Sequence, residues 1–410
     1  MNSYITLRSN PKVEGTVNLL PSSKSISNRA LILNALTSNR SVVSNLSVAR
    51  DTALMQALIN REEKIIDVMD AGTTMRFLTA FFALTNKNKI MTGTDRMKQR
   101  PIKLLVDALR QLGAEINYLG EEGFPPHEIL GFQVQKSDYL EIPGNVSSQY
   151  ISALMMVAPT LPKGLTIHLT GETASVPYIT MTASLMKDFG ADLDVNFKTN
   201  TLAVRPGHYT PANVVIEADW SAASYWFAFT ALAEKANVVL PHVAEKSLQG
   251  DRVVVEIMER LGVAAAFKDN YLTLTKRQGA DHLVWDFKDC PDLAQTILPV
   301  CAAKGITGEF TGLESLRIKE TDRISALQNE LAKIGAELHE PSTGRWTLAP
   351  GRIESLTKPI ETYHDHRMAM GFAPWATMTQ VSIEHPEVVN KSYPGFWGDL
   401  QTVGFVLERE

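Results

Sequence analysis

The chain has 410 residues, with 40 Lys plus Arg against 45 Asp plus Glu, a net charge of −5. At roughly 150 residues per domain this predicts two or three domains; 44% hydrophobic and 21% charged residues are ordinary for a globular protein, and Gly 25 with Pro 20 are too few for a disordered or collagenous chain. The acidic balance argues against a protein held on nucleic acid or anionic lipid by bulk charge.

Two cysteines, Cys290 and Cys301, provide no disulfide framework or thiolate cluster. No apolar run reaches the roughly 18 residues of a membrane span, and MNSYITLRSN lacks a signal pattern. A cytoplasmic protein is expected.

In chain order, uniformly apolar helices are predicted at 27–36, 73–84, 147–159, 221–232, 291–303 and 366–377. Their all-round apolarity marks them as buried. Each leads through a polar turn into a short strand, as in NKNKIMTG or PKGLTIHLT. Amphipathic helices alternate with them: LLVDALRQLGAEI, TASLMKDFGADLDV, VEIMERLGVAAAF, ALQNELAKIGAEL and the weaker FWGDLQTVGFVLE. Each of these ends in a glycine, at 113, 190, 262, 335 and 404, with spacings of 77, 72, 73 and 69. A degenerate first copy, DTALMQALIN, ends near Asn60, only 53 residues before Gly113. The chain therefore reads as six units of about 70 residues, or one closed three-unit domain present twice. The first unit is about 20 residues short and is expected to lack a strand pair.

Charged residues that a buried helix would not choose gather near the predicted helix starts. They include Lys24, Arg76, Arg100, Lys319, Arg323, Arg367 and Lys391, with Asp292 and Glu320 among them. Free N–H groups and the dipole make helix starts good anion sites, whereas N-capping explains only the Ser and Asp residues there. Seven cations opposing helix dipoles imply compensating negative charge from phosphate or carboxylate ligands. Facing starts from two such domains would line a cleft for two polyanionic small molecules, with the carboxylates available for proton transfer. There is no phosphate loop, Rossmann glycine triplet or nucleophile elbow. The i, i+2 pair His364 and His366 does not suit a metal site, and RMKQRP lacks stacking aromatics for nucleic acid.

The stretches PSSKSISNRALIL (21–33), DAGTTMRFL (70–78), RMKQRPI (96–102), VSSQY (146–150), LQGD (248–251), PD (291–292), RIKETDRI (317–324), DHRMAM (365–370) and KSYPGFW (391–397) occur in this order across nearly the whole chain. Together they resemble the 5-enolpyruvylshikimate-3-phosphate synthase family. The resemblance implies an α/β, two-domain enolpyruvyl transferase-like fold. Each domain would hold three βαβαββ units with buried parallel helices, an inside-out α/β barrel. The domains would span about 19–217, and 1–18 with 218–410, and close on their ligands.

It further implies shikimate 3-phosphate contacts from Lys24, Ser25, Arg29, Ser147, Ser148, Gln149, Ser175, Tyr178, Asp292 and Lys319. Phosphoenolpyruvate contacts would come from Lys24, Gly72, Arg100, Gln149, Arg323, Arg367 and Lys391. Asp292 resembles the base and Glu320 the acid, with Lys24 assisting, in an addition–elimination that needs no metal or organic cofactor. The implied enzyme is a monomer that binds no nucleic acid or membrane. Asp70, Thr74, Phe77 and Ser315 depart from the family pattern, which has Asn, Ala, Pro and, in some members, Asn there. Two alternatives share the fold: the sister transferase acting on UDP-N-acetylglucosamine, many of whose members use a loop cysteine, and a non-catalytic anion-binding protein.

Overall fold

The structure is a computed structural model and describes residues 3–409. It divides into two compact units, one of Met1–Ser23, Val48–Arg50 and Glu217–Glu410, the other of Lys24–Ser47 and Asp51–Ile216. They are called here the 217–410 and 24–216 units.

Both are built from one repeated pattern. In the 24–216 unit, strand Ile65–Asp67 runs parallel to Lys89–Thr92. Lys89–Thr92 pairs antiparallel with His127–Phe132, which pairs with Ala114–Tyr118. A parallel step needs a crossover, and helix Gly72–Leu84 provides it. Helix Lys103–Leu112 then leads to the hairpin, completing a βαβαββ unit. Tyr139–Pro143, Leu165–Thr170, Thr201–Val204 and Leu193–Asn196 repeat the order. The remaining sheet has two strands, Val42–Ser44 parallel to Asn213–Val215. From helix Arg50–Leu58 the chain passes directly to Ile65–Asp67 without a hairpin, so the short first repeat is missing its antiparallel pair.

The 217–410 unit has two further four-stranded sheets of this order and a third sheet of three strands. Residues near the N-terminus complete two of them. Lys12–Thr16 lies parallel to Lys235–Pro241, and Tyr4–Leu7 is inserted between Val381–Glu384 and Leu407–Arg409.

The predicted alternation of helices is present. Twelve of the thirteen residues of Gly72–Leu84 are buried, as are twelve of Trp220–Leu232. In each the exception is the second residue, Thr73 or Ser221, so each apolar rod is open only at its start. Lys103–Leu112 instead buries one stripe, Leu105, Val106, Ala108, Leu109 and Leu112. The repeat glycines share a reason for their recurrence: Gly113, Gly190, Gly262, Gly335 and Gly404 all have φ between +73° and +118°. That left-handed turn ends each amphipathic helix, and only glycine adopts it without a steric penalty.

Candidate active site

In the 24–216 unit, the starts of three buried helices carry linked polar groups. Lys24 opens helix Lys24–Leu36, and its Nζ lies 3.4 Å from Asp51 Oδ2. The Asp51 carbonyl accepts from Thr74 Oγ1 at 3.5 Å, which ties Lys24 to the start of Gly72–Leu84. Gln149, at the start of Ser148–Val157, donates to Thr73 Oγ1 at 3.0 Å. Ser147 caps that helix by accepting from the Gln149 amide at 3.4 Å. Ser148 is buried.

Gly72 is the meeting point of two guanidinium groups. A Cβ built there would lie 2.6 Å from Arg100 Nη1 and 2.7 Å from Arg76 Nη1. Arg76 also donates to the Gly72 carbonyl at 2.9 Å and covers the Tyr150 ring at 5.3 Å. Ser25 sits partly open beside Lys24, and Tyr178 is half-buried in Val176–Asp188. Ser175 occupies the N-cap position of that helix with left-handed φ 56° and ψ 35° and makes no side-chain capping bond.

Arg29 lies deeper, in the second turn of its helix. Burial lowers its pKa to about 10, with Tyr178 opposing, so it stays charged at neutral pH.

The 217–410 unit holds a tighter cluster. Arg323, the first residue of helix Arg323–Ala332, is 1% exposed. Its Nε donates to Asp365 at 2.7 Å, Nη1 to Asp292 at 3.0 Å and Nη2 to Glu320 at 2.9 Å. Arg367 Nη2 reaches Asp292 at 2.9 Å, and Lys319 Nζ lies 3.9 Å from the same carboxylate. Asp365 caps helix His366–Phe372 by accepting from the Arg367 amide at 2.9 Å. Burial raises the Asp292 pKa, but Arg367, Lys319 and Arg323 outweigh it and hold the carboxyl well below the usual range.

Behind this cluster, the Ser221 hydroxyl donates to buried Asp251. Burial and then the Asp292 charge push Asp251 up to about 7, with Arg367 and the Ser221 hydrogen bond opposing. Lys391 is buried at the end of the short helix Pro386–Lys391.

The sequence-derived residues thus gather within each unit: Lys24, Gly72, Arg100 and Gln149 around linked helix starts, and Asp292, Lys319, Glu320, Arg323 and Arg367 in one ion network. Two expectations change. Arg76 lies in the second turn of its helix and does not oppose the first free N–H groups. The charge balancing Arg323, Arg367 and Lys319 is also largely the protein's own, since Asp292, Glu320 and Asp365 match three cations with three carboxylates.

Sequence reasoning assigned no binding or catalytic role to Asp51, Asp251 or Asp365. The last two stand in quoted motifs, LQGD and DHRMAM, and that was the available signal. Among the described residues no group of three or more His, Cys, Asp or Glu is arranged to hold a metal ion, and no helix is long and apolar enough to cross a membrane. Cys290 and Cys301 are buried, and burial raises both thiols to about 12, unlike a reactive loop cysteine.

Comparison with known proteins matches residues 7–61 and 54–400 to the family described as EPSP synthase (3-phosphoshikimate 1-carboxyvinyltransferase). The two segments overlap where the first repeat runs short. A 3-phosphoshikimate 1-carboxyvinyltransferase of Bacteroides fragilis (strain YCH46) is 46% identical over 400 residues, 97% of each chain. One from Idiomarina loihiensis is 36% identical over 434 residues, 98% of this chain and 99% of its own. An EPSP synthase structure from Acinetobacter baumannii covers 100% of both chains with a TM-score of 0.75 at 20% identity, a likeness of fold.

Proposed function

The chain belongs to the EPSP synthase (3-phosphoshikimate 1-carboxyvinyltransferase) family, and on that premise we propose that it transfers the carboxyvinyl group of phosphoenolpyruvate to the 5-hydroxyl of shikimate 3-phosphate and releases phosphate. The observation that carries the chemistry is a single guanidinium, Arg323, holding Asp292 at 3.0 Å and Glu320 at 2.9 Å. A proton acceptor and a proton donor are thereby fixed side by side on one planar fork.

The reaction is an addition followed by an elimination. The 5-hydroxyl oxygen bonds to C2 of phosphoenolpyruvate as C3 takes a proton, which gives a tetrahedral ketal. Cleavage of the C2–O bond to phosphate and loss of a proton from C3 then restore the double bond. Asp292, kept ionised by its cations, accepts the hydroxyl proton. Its low pKa makes it a weak base, so the proton leaves only as the new C–O bond forms and acidifies the hydroxyl. Glu320, protonated for this step, delivers its proton to C3, with Lys24 assisting, and as a carboxylate takes a proton back from C3 when phosphate leaves.

Lys24, Gly72, Arg100, Gln149, Arg323, Arg367 and Lys391 receive phosphoenolpyruvate in this reading. Lys24, Ser25, Arg29, Ser147, Ser148, Gln149, Ser175, Tyr178, Asp292 and Lys319 receive shikimate 3-phosphate. Positive groups around the developing charge at C2 and the departing phosphate supply electrostatic stabilisation, and holding both reactants supplies proximity.

The test is phosphate release from phosphoenolpyruvate with each acceptor in turn. Turnover with shikimate 3-phosphate and none with UDP-N-acetylglucosamine is expected. Turnover with the UDP-sugar alone would reassign the acceptor, and none with either would leave an anion-binding protein of this fold.

A further inference from the structure

Arg29 is 2% exposed and touches four helices of the 24–216 unit. Its Nη1 donates to the Ser25 carbonyl at 2.9 Å within helix Lys24–Leu36. Its Nε donates to Thr182 Oγ1 at 2.6 Å on Val176–Asp188, and Nη2 to Ser152 Oγ at 3.1 Å on Ser148–Val157. Its Cζ lies 5.2 Å from the Phe77 ring centre on Gly72–Leu84. Among the described residues, no carboxylate pairs with it.

The two hydroxyls are themselves constrained. Thr182 donates its one proton to the Tyr178 carbonyl at 2.7 Å. Ser152 lies 2.9 Å from Thr182 and so donates its proton to the Thr182 oxygen. Both oxygens are left as acceptors facing the guanidinium. Three of the five Arg29 N–H groups are engaged, and two remain for another partner.

This arrangement differs in kind from the other cation cluster. Arg323 and Arg367 are held by carboxylates, which fix their geometry and also cancel their charge. Arg29 is held by neutral oxygens and an aromatic face, which fix its geometry and leave its charge whole. An uncompensated buried cation is costly, and an anionic ligand is the group that offsets it.

We propose that Thr182 and Ser152 are positioning residues for shikimate 3-phosphate: a neutral hydroxyl pair that aims the Arg29 guanidinium while sparing its positive charge for the acid groups of that substrate. The inference rests on the assignment of shikimate 3-phosphate to this unit. It adds a selectivity: loss of the pair impairs binding of this substrate and spares phosphoenolpyruvate.

The experiment compares the wild type with Thr182→Val, Thr182→Ser and Ser152→Ala. Calorimetric titration with shikimate 3-phosphate is run beside steady-state phosphate release, and thermal melts establish that each variant is folded. Thr182→Val keeps the shape and removes the acceptor. It is expected to weaken shikimate 3-phosphate binding by about 10-fold or more, with the KM for phosphoenolpyruvate within about 2-fold of wild type. Thr182→Ser is expected to restore affinity, because it returns the oxygen. Ser152→Ala, a smaller perturbation, is expected to fall between them.

A folded Thr182→Val that binds shikimate 3-phosphate like the wild type overturns the proposal and leaves the function standing. Equal losses for both substrates also overturn it, because they indicate a general structural defect. A wild type that binds shikimate 3-phosphate but does not turn it over, with selective loss in Thr182→Val, sinks the catalytic reading and supports the positioning role. A wild type that does not bind it sinks both.

Discussion

Replacing Gly72 with alanine separates binding from folding. The new methyl would lie 2.6 and 2.7 Å from the two Arg100 terminal nitrogens and 2.7 Å from Arg76 Nη1, against an ordinary contact limit of 3.4 Å. The guanidinium groups must therefore retreat by about 0.8 Å, the shortfall at the closest nitrogen. All three atoms end flexible side chains, and Gly72 does not adopt a left-handed φ, so the backbone is not strained. Alanine also suits a helix better than glycine, and the net change in stability should stay within about 1 kcal/mol.

Binding has less tolerance. A charge-assisted hydrogen bond lengthened by about 0.8 Å is largely lost, at a cost of roughly 1.5–3 kcal/mol. The KM for phosphoenolpyruvate is therefore expected to rise roughly 10- to 100-fold, read from phosphate release at saturating shikimate 3-phosphate. A melting temperature close to wild type should accompany it. A KM for phosphoenolpyruvate unchanged within about 2-fold would refute the assignment of Gly72 and Arg100 to that substrate.

Three further outcomes are expected. Asp292→Asn removes the proposed proton acceptor and keeps the shape, so kcat should fall about 100-fold or more in steady-state assays; a near-normal kcat would remove Asp292 from the role of base. Arg323→Gln leaves Asp292, Glu320 and Asp365 without their shared cation, and a stability loss of about 3–5 kcal/mol should appear in denaturant unfolding. Asp251 has a folded-state pKa raised from 3.8 to about 7, so the folded protein retains a proton that the unfolded chain has released. That contribution makes stability fall as pH rises from about 4 to 7 and then level off. Asp251→Asn lacks this titration, so its melting temperature relative to wild type should climb across the same window; parallel pH profiles would show that Asp251 does not titrate there.

Much of this architecture is written in local sequence. The five repeat glycines occupy one left-handed turn that almost no other residue accepts, which is why they recur at near-constant spacing. The missing strand pair of the first repeat shows as a shortened interval, because a hairpin has a minimum length of chain. The cations were legible because positive charge near a helix start, where the dipole opposes it, is conspicuous. Their partners were not. Arg323 meets Asp365 across 42 positions, and Arg29 meets Ser152 and Thr182 across 123 and 153. A serine or threonine inside an apolar helix looks like tolerated polarity until packing brings an arginine to it. Local pattern signals that charge needs compensation, and only tertiary contacts decide whether protein or ligand provides it.

The inserted strand Tyr4–Leu7 also sets a timetable. It leaves the ribosome long before its partners Val381–Glu384 and Leu407–Arg409, which follow roughly 370–400 residues later. At roughly 5–20 residues per second, it waits on the order of 20–80 seconds for them. The 24–216 unit finds all its strand partners within its own span and can close midway through synthesis. Translation thus proceeds with one half consolidated and a four-residue segment unpaired, leaving that segment open to chaperones or to mispairing with another nascent chain until its partners are made.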